Sequence, residues 1–187
     1  AVLLRESREG IGRVRKIVQD LKNFSRVDAE DDWQWTDLHQ GIESTLNIVA
    51  SELKYRADVV REYGDLPEVK CLPSQINQVL LNLLTNAAQA MERFGRILLK
   101  SWADERQVFL SVQDNGKGMP AEVLGRIFDP FFTTKPVGQG TGLGLSISYK
   151  IIQQHGGTIR VASEPGRGTR FLISLPREQA RELKRSA

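Results

Sequence analysis

The sequence predicts an α/β (α+β) two-layer sandwich, a mixed sheet with helices on one face, preceded by a long N-terminal helix. Six short stretches have strand character, and several longer ones have the apolar spacing of amphipathic helices. These elements follow one another without the regular alternation of a doubly wound parallel sheet. We therefore expect the helices to form a layer on a mixed sheet.

Residues 1–27 are predicted to form a helix with a heptad seam. Apolar or small residues recur at alternating spacings of three and four, with arginine and lysine on the other faces: Leu4, Ser7, Ile11, Val14, Val18, Leu21 and Ser25. A helix of this length is marginal alone in water. We expect it to pack on another helix of a longer parent protein or on a second copy, forming a homodimer; the alternative is a surface helix of the main domain.

The main domain is predicted over residues 36–176, between an acidic linker at 28–35 and a charged tail at 177–187. Its helices are expected at 37–54, where Thr36 or Asp37 is the cap, at 72–91, up to about 128, and at 143–154. The expected strands are 58–63, 69–71, 96–102, 107–113, 158–163 and 168–175. A loop is expected over 129–142, and Gly156 with Gly157 ends the last helix.

Composition excludes several functional classes. The 187 residues carry a formal net charge of only +3, without a basic stripe interleaved with aromatics, which argues against nucleic acid as a partner. The chain has no apolar run of about 18 residues, so no membrane segment is expected in it. The single cysteine, Cys71, fits a reducing compartment and is interpreted as a buried apolar residue. A cytoplasmic location is the expectation.

The helix predicted at 72–91 has a narrow polar stripe on an otherwise apolar surface. Its polar residues fall within an arc of about 100°: Gln75, Gln78, Asn82, Thr85, Asn86 and Gln89. Asparagine is a poor helix former, and a solvated face would usually carry lysine and glutamate. Two amide oxygens one turn apart, on Asn82 and Asn86, are suited to a hard cation such as Mg²⁺.

Two glycine-containing segments follow. In "DNGKGM", residues 114–119, Asp114 ends a strand beside bare backbone, where its carboxylate can accept a hydrogen bond from an amino group such as that of adenine; a simple turn is the alternative. In "GQGTGLGLSI", residues 138–147, four glycines lead into a helix. Backbone N–H groups at such a helix start can cradle a phosphate, although a flexible glycine-rich lid has the same composition. The segment is neither a P-loop nor a dinucleotide fingerprint.

The segments "NLLTNAAQA", "DNGKGM", "FDPFFTTK" and "GTGLGLS" occur in this order. Together they resemble the catalytic, ATP-binding domain of bacterial sensor histidine kinases, in the broader family of type II topoisomerase, heat-shock chaperone and mismatch-repair ATPases. The resemblance covers roughly residues 36–176. Residues 1–27 resemble the end of the second helix of the dimerisation and histidine-phosphotransfer domain.

The resemblance implies ATP and Mg²⁺ as cofactors and assigns roles to individual residues. Asn82 and Asn86 would hold Mg²⁺ and phosphate and, with Lys135, would carry catalysis, while Asp114 would bind the adenine amino group. Phe128, Phe131 and Phe132 would pack beneath a mobile lid. The other implied nucleotide contacts are Gln89, Arg93, Gly116, Gly118, Met119, Phe131, Thr134, Lys135, Gly140, Thr141, Gly142, Leu143, Gly144 and Leu145.

The sequence departs from the family pattern in two places. Many members carry a basic residue about one turn after the second asparagine; here that place is near Gln89, so Arg93 or Lys135 must supply the charge, or phosphate binding is weaker. The lid between Lys135 and Gly140 is also short. This length predicts modest shielding of the nucleotide.

The resemblance implies transfer of the γ-phosphoryl group of ATP to a histidine on an upstream helical hairpin, for relay to the receiver domain of a response regulator. Hydrolases of the superfamily carry a glutamate one turn before the second asparagine, where this chain has Asn82. Three alternatives remain: a serine kinase of the same fold, a nucleotide-binding scaffold without transfer, and, disfavoured by Asn82, an ATPase.

The phosphoacceptor itself is not expected within the chain. His39 lies in a predicted helix with no motif around it, and His155 lies at a helix end, where it is interpreted as a cap. We therefore expect ATP–Mg²⁺ to bind without phosphorylation of either histidine.

Overall fold

The computed structural model describes residues 32–136 and 140–177, together with the single position Ile11. The helices in these residues are α1 (Leu38–Leu53), α2 (Pro73–Gln89), α3 (Ala121–Leu124) and α4 (Gly144–Gln154). The strands are β1 (Gln34–Thr36), β2 (Ala57–Tyr63), β3 (Val69–Cys71), β4 (Gly95–Ala103), β5 (Gln107–Asp114), β6 (Thr158–Glu164) and β7 (Gly168–Pro176). No helix in these stretches is long and apolar enough to cross a membrane.

Five strands form one mixed sheet in the order β2-β4-β5-β7-β6, and β1 pairs with β3 apart from it. Strand β2 runs parallel to β4, while the other three pairings of the large sheet are antiparallel. Parallel strands require a crossover connection. Here that connection contains β3 and α2, which places α2 over the sheet.

The core lies between the sheet and the helices. Along β4 the residues alternate between buried and half-exposed, with Ile97 and Leu99 facing the helices. On the opposite face of the sheet, the rings of Trp102 and Phe109 stack with their centroids 5.3 Å apart. Helix α2 packs between α1 and α4. Its apolar surface is therefore covered by α1, α4 and the sheet, while Asn86 and Gln89 of the polar stripe face the site.

The predicted fold class is confirmed, and Cys71 is fully buried as expected. Asp37 caps α1, its side chain accepting a hydrogen bond from the backbone N–H of His39 at 2.8 Å. The linker prediction differs at its end, because Gln34 and Trp35 belong to β1, opposite Cys71 and Lys70. A strand of three residues is too short to show a period of two, and it forms because β3 supplies a partner.

Two other predictions have different outcomes. The helix expected to run to about Phe128 is α3, which ends at Leu124 and is followed by turns. The heptad helix apart from Ile11, residues 28–31, Gly138 and the tail from 178 lie outside the described residues.

His155 joins the end of α4 to the start of α2. The imidazole is fully buried, its Nε2 accepts a hydrogen bond from the backbone N–H of Leu72 at 3.1 Å, and the proton therefore lies on Nδ1. Nδ1 donates to the carbonyl of Ile151 at 2.8 Å, and the ring contacts Trp33 at a centroid distance of 4.8 Å. Burial lowers the pKa of His155 below the ordinary histidine value. His155 is the C-cap residue of α4, as interpreted from the sequence, but its buried ring is neutral and links α4 to the start of α2.

Replacing His155 with leucine should destabilise the fold by about 1–3 kcal/mol near neutral pH, because the buried N–H of Leu72 loses its acceptor. The wild-type protein should lose stability as the pH falls below about 6.5, because the unfolded histidine then takes up a proton that the folded one resists. Leucine carries no such proton. Urea denaturation at about pH 7.5 and pH 5.5 should therefore show a wild-type advantage that shrinks in acid. An advantage of equal size at both values would contradict the assignment.

Candidate functional site

A cavity of about 290 Å³ opens between α2, the turn after β5, the loop before α4 and the first residues of α4. Residues that are far apart in the sequence therefore meet at one place. The cavity also reaches β7, where Thr169 and Phe171 line it. Phe171 lies opposite Val112 of β5 in the sheet, so strand pairing brings β7 to the site.

The polar stripe of α2 faces other protein groups and the cavity. Asn86 and Gln89 line the cavity. Asn82 does not; its amide nitrogen donates to the carbonyl of Gly144 at 2.9 Å and to the hydroxyl of Ser148 at 3.2 Å. Asn82 therefore fixes the start of α4 against α2, one turn away from the cavity wall.

Lys135 reaches the stripe from the loop. Its ammonium group donates to Oδ1 of Asn86 at 3.2 Å and to Oε1 of Gln89. The amide nitrogen of Gln89 in turn donates to Oε1 of Glu52 on α1 at 3.4 Å. The amide oxygens of α2 are thus presented to a cationic group inside the cavity.

Asp114 ends β5 in a buried position on the cavity wall, with 6% of its surface exposed. Oδ1 accepts hydrogen bonds from the backbone N–H groups of Gly116 at 2.8 Å and Thr169 at 3.3 Å. Burial raises the pKa of Asp114, and these two hydrogen bonds oppose the rise. Neither of them uses Oδ2, which leaves an acceptor for a ligand amino group.

The turn after Asp114 is packed too tightly for side chains at its glycines. A Cβ atom on Gly116 would lie 2.5 Å from the carbonyl oxygen of Ala90, and one on Gly118 would lie 1.9 Å from that of Glu164. Gly118 also has a φ of +65°. Met119 is held by a hydrogen bond from its N–H to the hydroxyl of Ser163 at 2.8 Å, and it lines the cavity.

The glycines before α4 have different surroundings. At Gly142, with φ +67°, a Cβ atom would meet the backbone of Phe131 at 2.4 Å, while at Gly140 it would meet the hydroxyl of Thr133 at 2.8 Å. At Gly144 the nearest protein atoms would be 3.5 Å away, an ordinary contact. Protein packing thus explains glycine at 140 and 142. Protein packing does not explain the glycine at 144, where the bare backbone faces the cavity.

The structure separates the predicted site residues into two groups. Ten of them line the cavity: Asn86, Gln89, Asp114, Gly118, Met119, Thr134, Lys135, Gly142, Gly144 and Leu145. The others lie next to it or away from it: Asn82, Arg93, Gly116, Phe131, Gly140, Thr141 and Leu143.

Members of the second group differ in what surrounds them. Arg93 is exposed, and Phe131 is 64% exposed with a φ of +66°. Leu143 is buried in the core, whereas Thr141 accepts a hydrogen bond at its hydroxyl from the N–H of Leu143 at 3.4 Å. These residues shape the loop or the core around the cavity.

Sequence reasoning missed several lining residues. Lys117 stands inside "DNGKGM" and could have been found from that motif. Thr169 and Phe171 lie in an ordinary strand pattern, and Val123 and Ile127 around α3 look like core residues. No local signal marks these four, because only the tertiary fold brings them to the cavity.

Comparison with known proteins agrees with this geometry. Residues 71–179 match the family described as histidine kinase-, DNA gyrase B-, and HSP90-like ATPase. The chain is 40% identical over 179 residues to the signal transduction histidine-protein kinase AtoS of Escherichia coli (strain K12), which covers 94% of this chain and 28% of AtoS. The chain therefore spans less than a third of that relative.

Solved structures are similar as well. The nucleotide-free catalytic domain of histidine kinase ThkA superposes with a TM-score of 0.70 at 34% identity, covering 79% of this chain and 97% of that chain. ThkA in complex with the response regulator protein TrrA gives a TM-score of 0.72 at 28% identity, covering 90% of this chain and 48% of that chain.

Replacing Gly118 with alanine should destabilise the protein by more than the roughly 1–2 kcal/mol that left-handed backbone costs an alanine, because the new Cβ atom meets the Glu164 carbonyl. Gly166→Ala is the matched control, since Gly166 has a φ of +77° and no atom within 4 Å of the added Cβ. Urea denaturation of both variants separates the backbone cost from the clash. Equal losses of stability in the two variants would contradict the predicted clash, because the turn would then accommodate the added Cβ atom at no measurable cost.

Proposed function

The chain belongs to the histidine kinase-, DNA gyrase B- and HSP90-like ATPase family, and we propose that it is the catalytic part of a protein-histidine kinase. In this proposal it binds ATP with Mg²⁺ and transfers the γ-phosphoryl group to a histidine on a helical hairpin of its parent protein. The phosphoryl group then passes to the receiver domain of a response regulator. A response regulator is the named partner of ThkA, which supports this class of partner.

The observation that carries the proposal is the chemistry of the α2 face at the cavity. Amide side chains stand there, and among the described residues lining the cavity the one carboxylate is Asp114. Asp114 is buried and bound to two backbone N–H groups, a setting suited to holding a base amino group. Water then lacks a general base near the phosphates. ATP would be oriented without being hydrolysed quickly.

The transfer step needs positioning more than acid–base chemistry from this chain. A ring nitrogen of the acceptor histidine forms a bond to the γ-phosphorus while the bond from that phosphorus to the β–γ bridging oxygen breaks. ADP leaves, and one proton is released from the imidazole. Lys135, the bare backbone at Gly144 and the Asn86 amide would hold the phosphates in line for this attack.

Mg²⁺ fits the donors present. No group of three histidine, cysteine, aspartate or glutamate side chains that could hold a metal occurs within residues 32–136 and 140–177. The ion would therefore depend on amide oxygen and phosphate oxygens, a set that Mg²⁺ accepts. The Oδ1 atom of Asn86 accepts a hydrogen bond from the Lys135 ammonium and has a second lone pair, with which it could hold the ion. Asn82 does not line the cavity and its amide nitrogen is bound to α4, so Asn86 is the asparagine whose position supports a role as ligand. When bound, Mg²⁺ would offset charge on the phosphates.

Asn86→Ala should reduce the Mg²⁺-dependent part of ATP affinity by about tenfold, because a directly ligating oxygen is lost. Calorimetric titration with ATP in Mg²⁺ and in EDTA measures that part. Gln78→Ala is the control, since Gln78 lies on the same stripe of α2 outside the cavity lining. If the ratio of the two affinities is the same in Asn86→Ala and the wild type, Asn86 is not a ligand.

Incubation with γ-labelled ATP and Mg²⁺ tests the transfer itself. The chain alone should release free phosphate slowly and retain no label at His39 or His155. His155 is fully buried and committed to two hydrogen bonds, and His39 donates to or accepts from the hydroxyl of Ser101 at 2.8 Å. Adding a separately produced histidine-phosphotransfer hairpin should give protein-bound label that is labile in acid and stable in base.

Three outcomes would argue against a histidine kinase in this experiment. Label that is stable in acid would indicate a hydroxyl acceptor and a serine kinase. Rapid release of phosphate without label would indicate an ATPase. ATP binding without either would indicate a nucleotide-binding scaffold.

A further inference from the structure

Three polar side chains link α1, through α2, to the loop that carries Lys135. Oε1 of Glu52 accepts a hydrogen bond from Nε2 of Gln89 at 3.4 Å, and Oε1 of Gln89 accepts one from the ammonium of Lys135. All three side chains are half-buried. Gln89 and Lys135 line the cavity, whereas Glu52 does not. The network therefore starts outside the site and ends inside it.

We propose that Gln89, oriented by Glu52, is a positioning residue that holds the Lys135 ammonium where the phosphates of ATP enter. This inference rests on the proposed function, because it assigns the cation a phosphate partner. Gln89 acts through Lys135 in this role and does not itself need to touch the nucleotide.

The orientation of the Gln89 amide follows from its neighbours. A carboxylate accepts hydrogen bonds only, and an ammonium group donates them only. With Glu52 on one side and Lys135 on the other, the amide must turn its nitrogen to the carboxylate and its oxygen to the ammonium. The reverse orientation would set NH₂ against NH₃⁺. Glu52 thereby fixes which end of Gln89 faces the cavity.

Holding the ammonium matters because a lysine side chain has many rotamers, and fixing one of them opposes binding. Gln89 and Asn86 offer two amide oxygens to the same ammonium, the latter at 3.2 Å. A charged donor on two fixed acceptors forms strong hydrogen bonds. The entropy of ordering Lys135 is then lost during folding and not when ATP binds.

The test compares ATP with AMP, which has the same base and sugar but lacks the β- and γ-phosphates. In EDTA, Gln89→Leu should weaken ATP binding about fivefold, the scale of one hydrogen bond, and leave AMP binding unchanged. Glu52→Gln keeps the shape of the carboxylate and removes its charge, so it should lower the ATP-to-AMP affinity ratio by about twofold. Calorimetric or fluorescent-nucleotide competition gives both affinities.

Matched controls and a double-mutant cycle separate positioning from structure. Gln78→Leu removes another glutamine of the stripe, and Glu92→Gln removes another carboxylate, an exposed one just past the end of α2. Both should leave the affinity ratio as it is in the wild type. In a Lys135→Met background, Gln89→Leu should produce no further change in the ratio.

Several results would overturn the assignment. Equal weakening of ATP and AMP by Gln89→Leu would show a structural role, and an undiminished effect in the Lys135→Met background would show that Gln89 acts independently of Lys135. An ATP-to-AMP affinity ratio that Gln89→Leu leaves unchanged would show that Gln89 does not position Lys135. The wild type distinguishes failure of the positioning role from failure of the proposed function. If the wild type does not bind ATP, both proposals are wrong. If the wild type binds ATP and transfers label, but the variants leave the ATP-to-AMP affinity ratio unchanged, only the positioning role is wrong.

Discussion

The site depends on the pairing of amide side chains along α2 with partners supplied by other elements. An asparagine inside a largely buried helix is costly unless its polar atoms are hydrogen-bonded. Asn82 meets this requirement by binding the Gly144 carbonyl and the Ser148 hydroxyl, and Gln89 by bridging Glu52 and Lys135. The same contacts that stabilise α2 also set the first turn of α4 and the loop before it. The hydrogen bonds that hold the helices together therefore also determine the geometry of the site.

Two further links hold the ends of this arrangement. His155 connects the last turn of α4 to the residue before α2, so both ends of the α2–α4 contact are fixed by hydrogen bonds. The turn after β5 is closed on the other side of the cavity, where the N–H of Lys117 donates to the Ala90 carbonyl at 3.0 Å and the N–H of Gly166 donates to the Lys117 carbonyl at 2.7 Å. The cavity is thus framed by hydrogen-bonded backbone, and Lys135 lies in the loop between α3 and α4.

The sequence was sufficient for the fold class and for most elements, because the helices and longer strands carry clear periodicity. The position of β1 could not be predicted, since three residues show no period and depend on β3 as a partner. At the site, motifs located Asn86, Asp114 and Gly144, because an amide, a carboxylate and a glycine at these positions each suggest a particular ligand chemistry. They did not reveal the role of Asn82 as a clamp on α4. Thr169 and Phe171 had no motif at all and reach the cavity through strand pairing.

The chain's three tryptophans are placed away from the cavity. Trp33 lies against His155, Trp35 is in β1 and half exposed, and Trp102 stacks on Phe109 on the far face of the sheet. A nucleotide in the cavity would touch none of these indoles. Their intrinsic emission should therefore follow unfolding of the sheet and the α2–α4 junction without direct quenching by the ligand, which makes conformational stability and ligand occupancy two optically separable properties of this molecule.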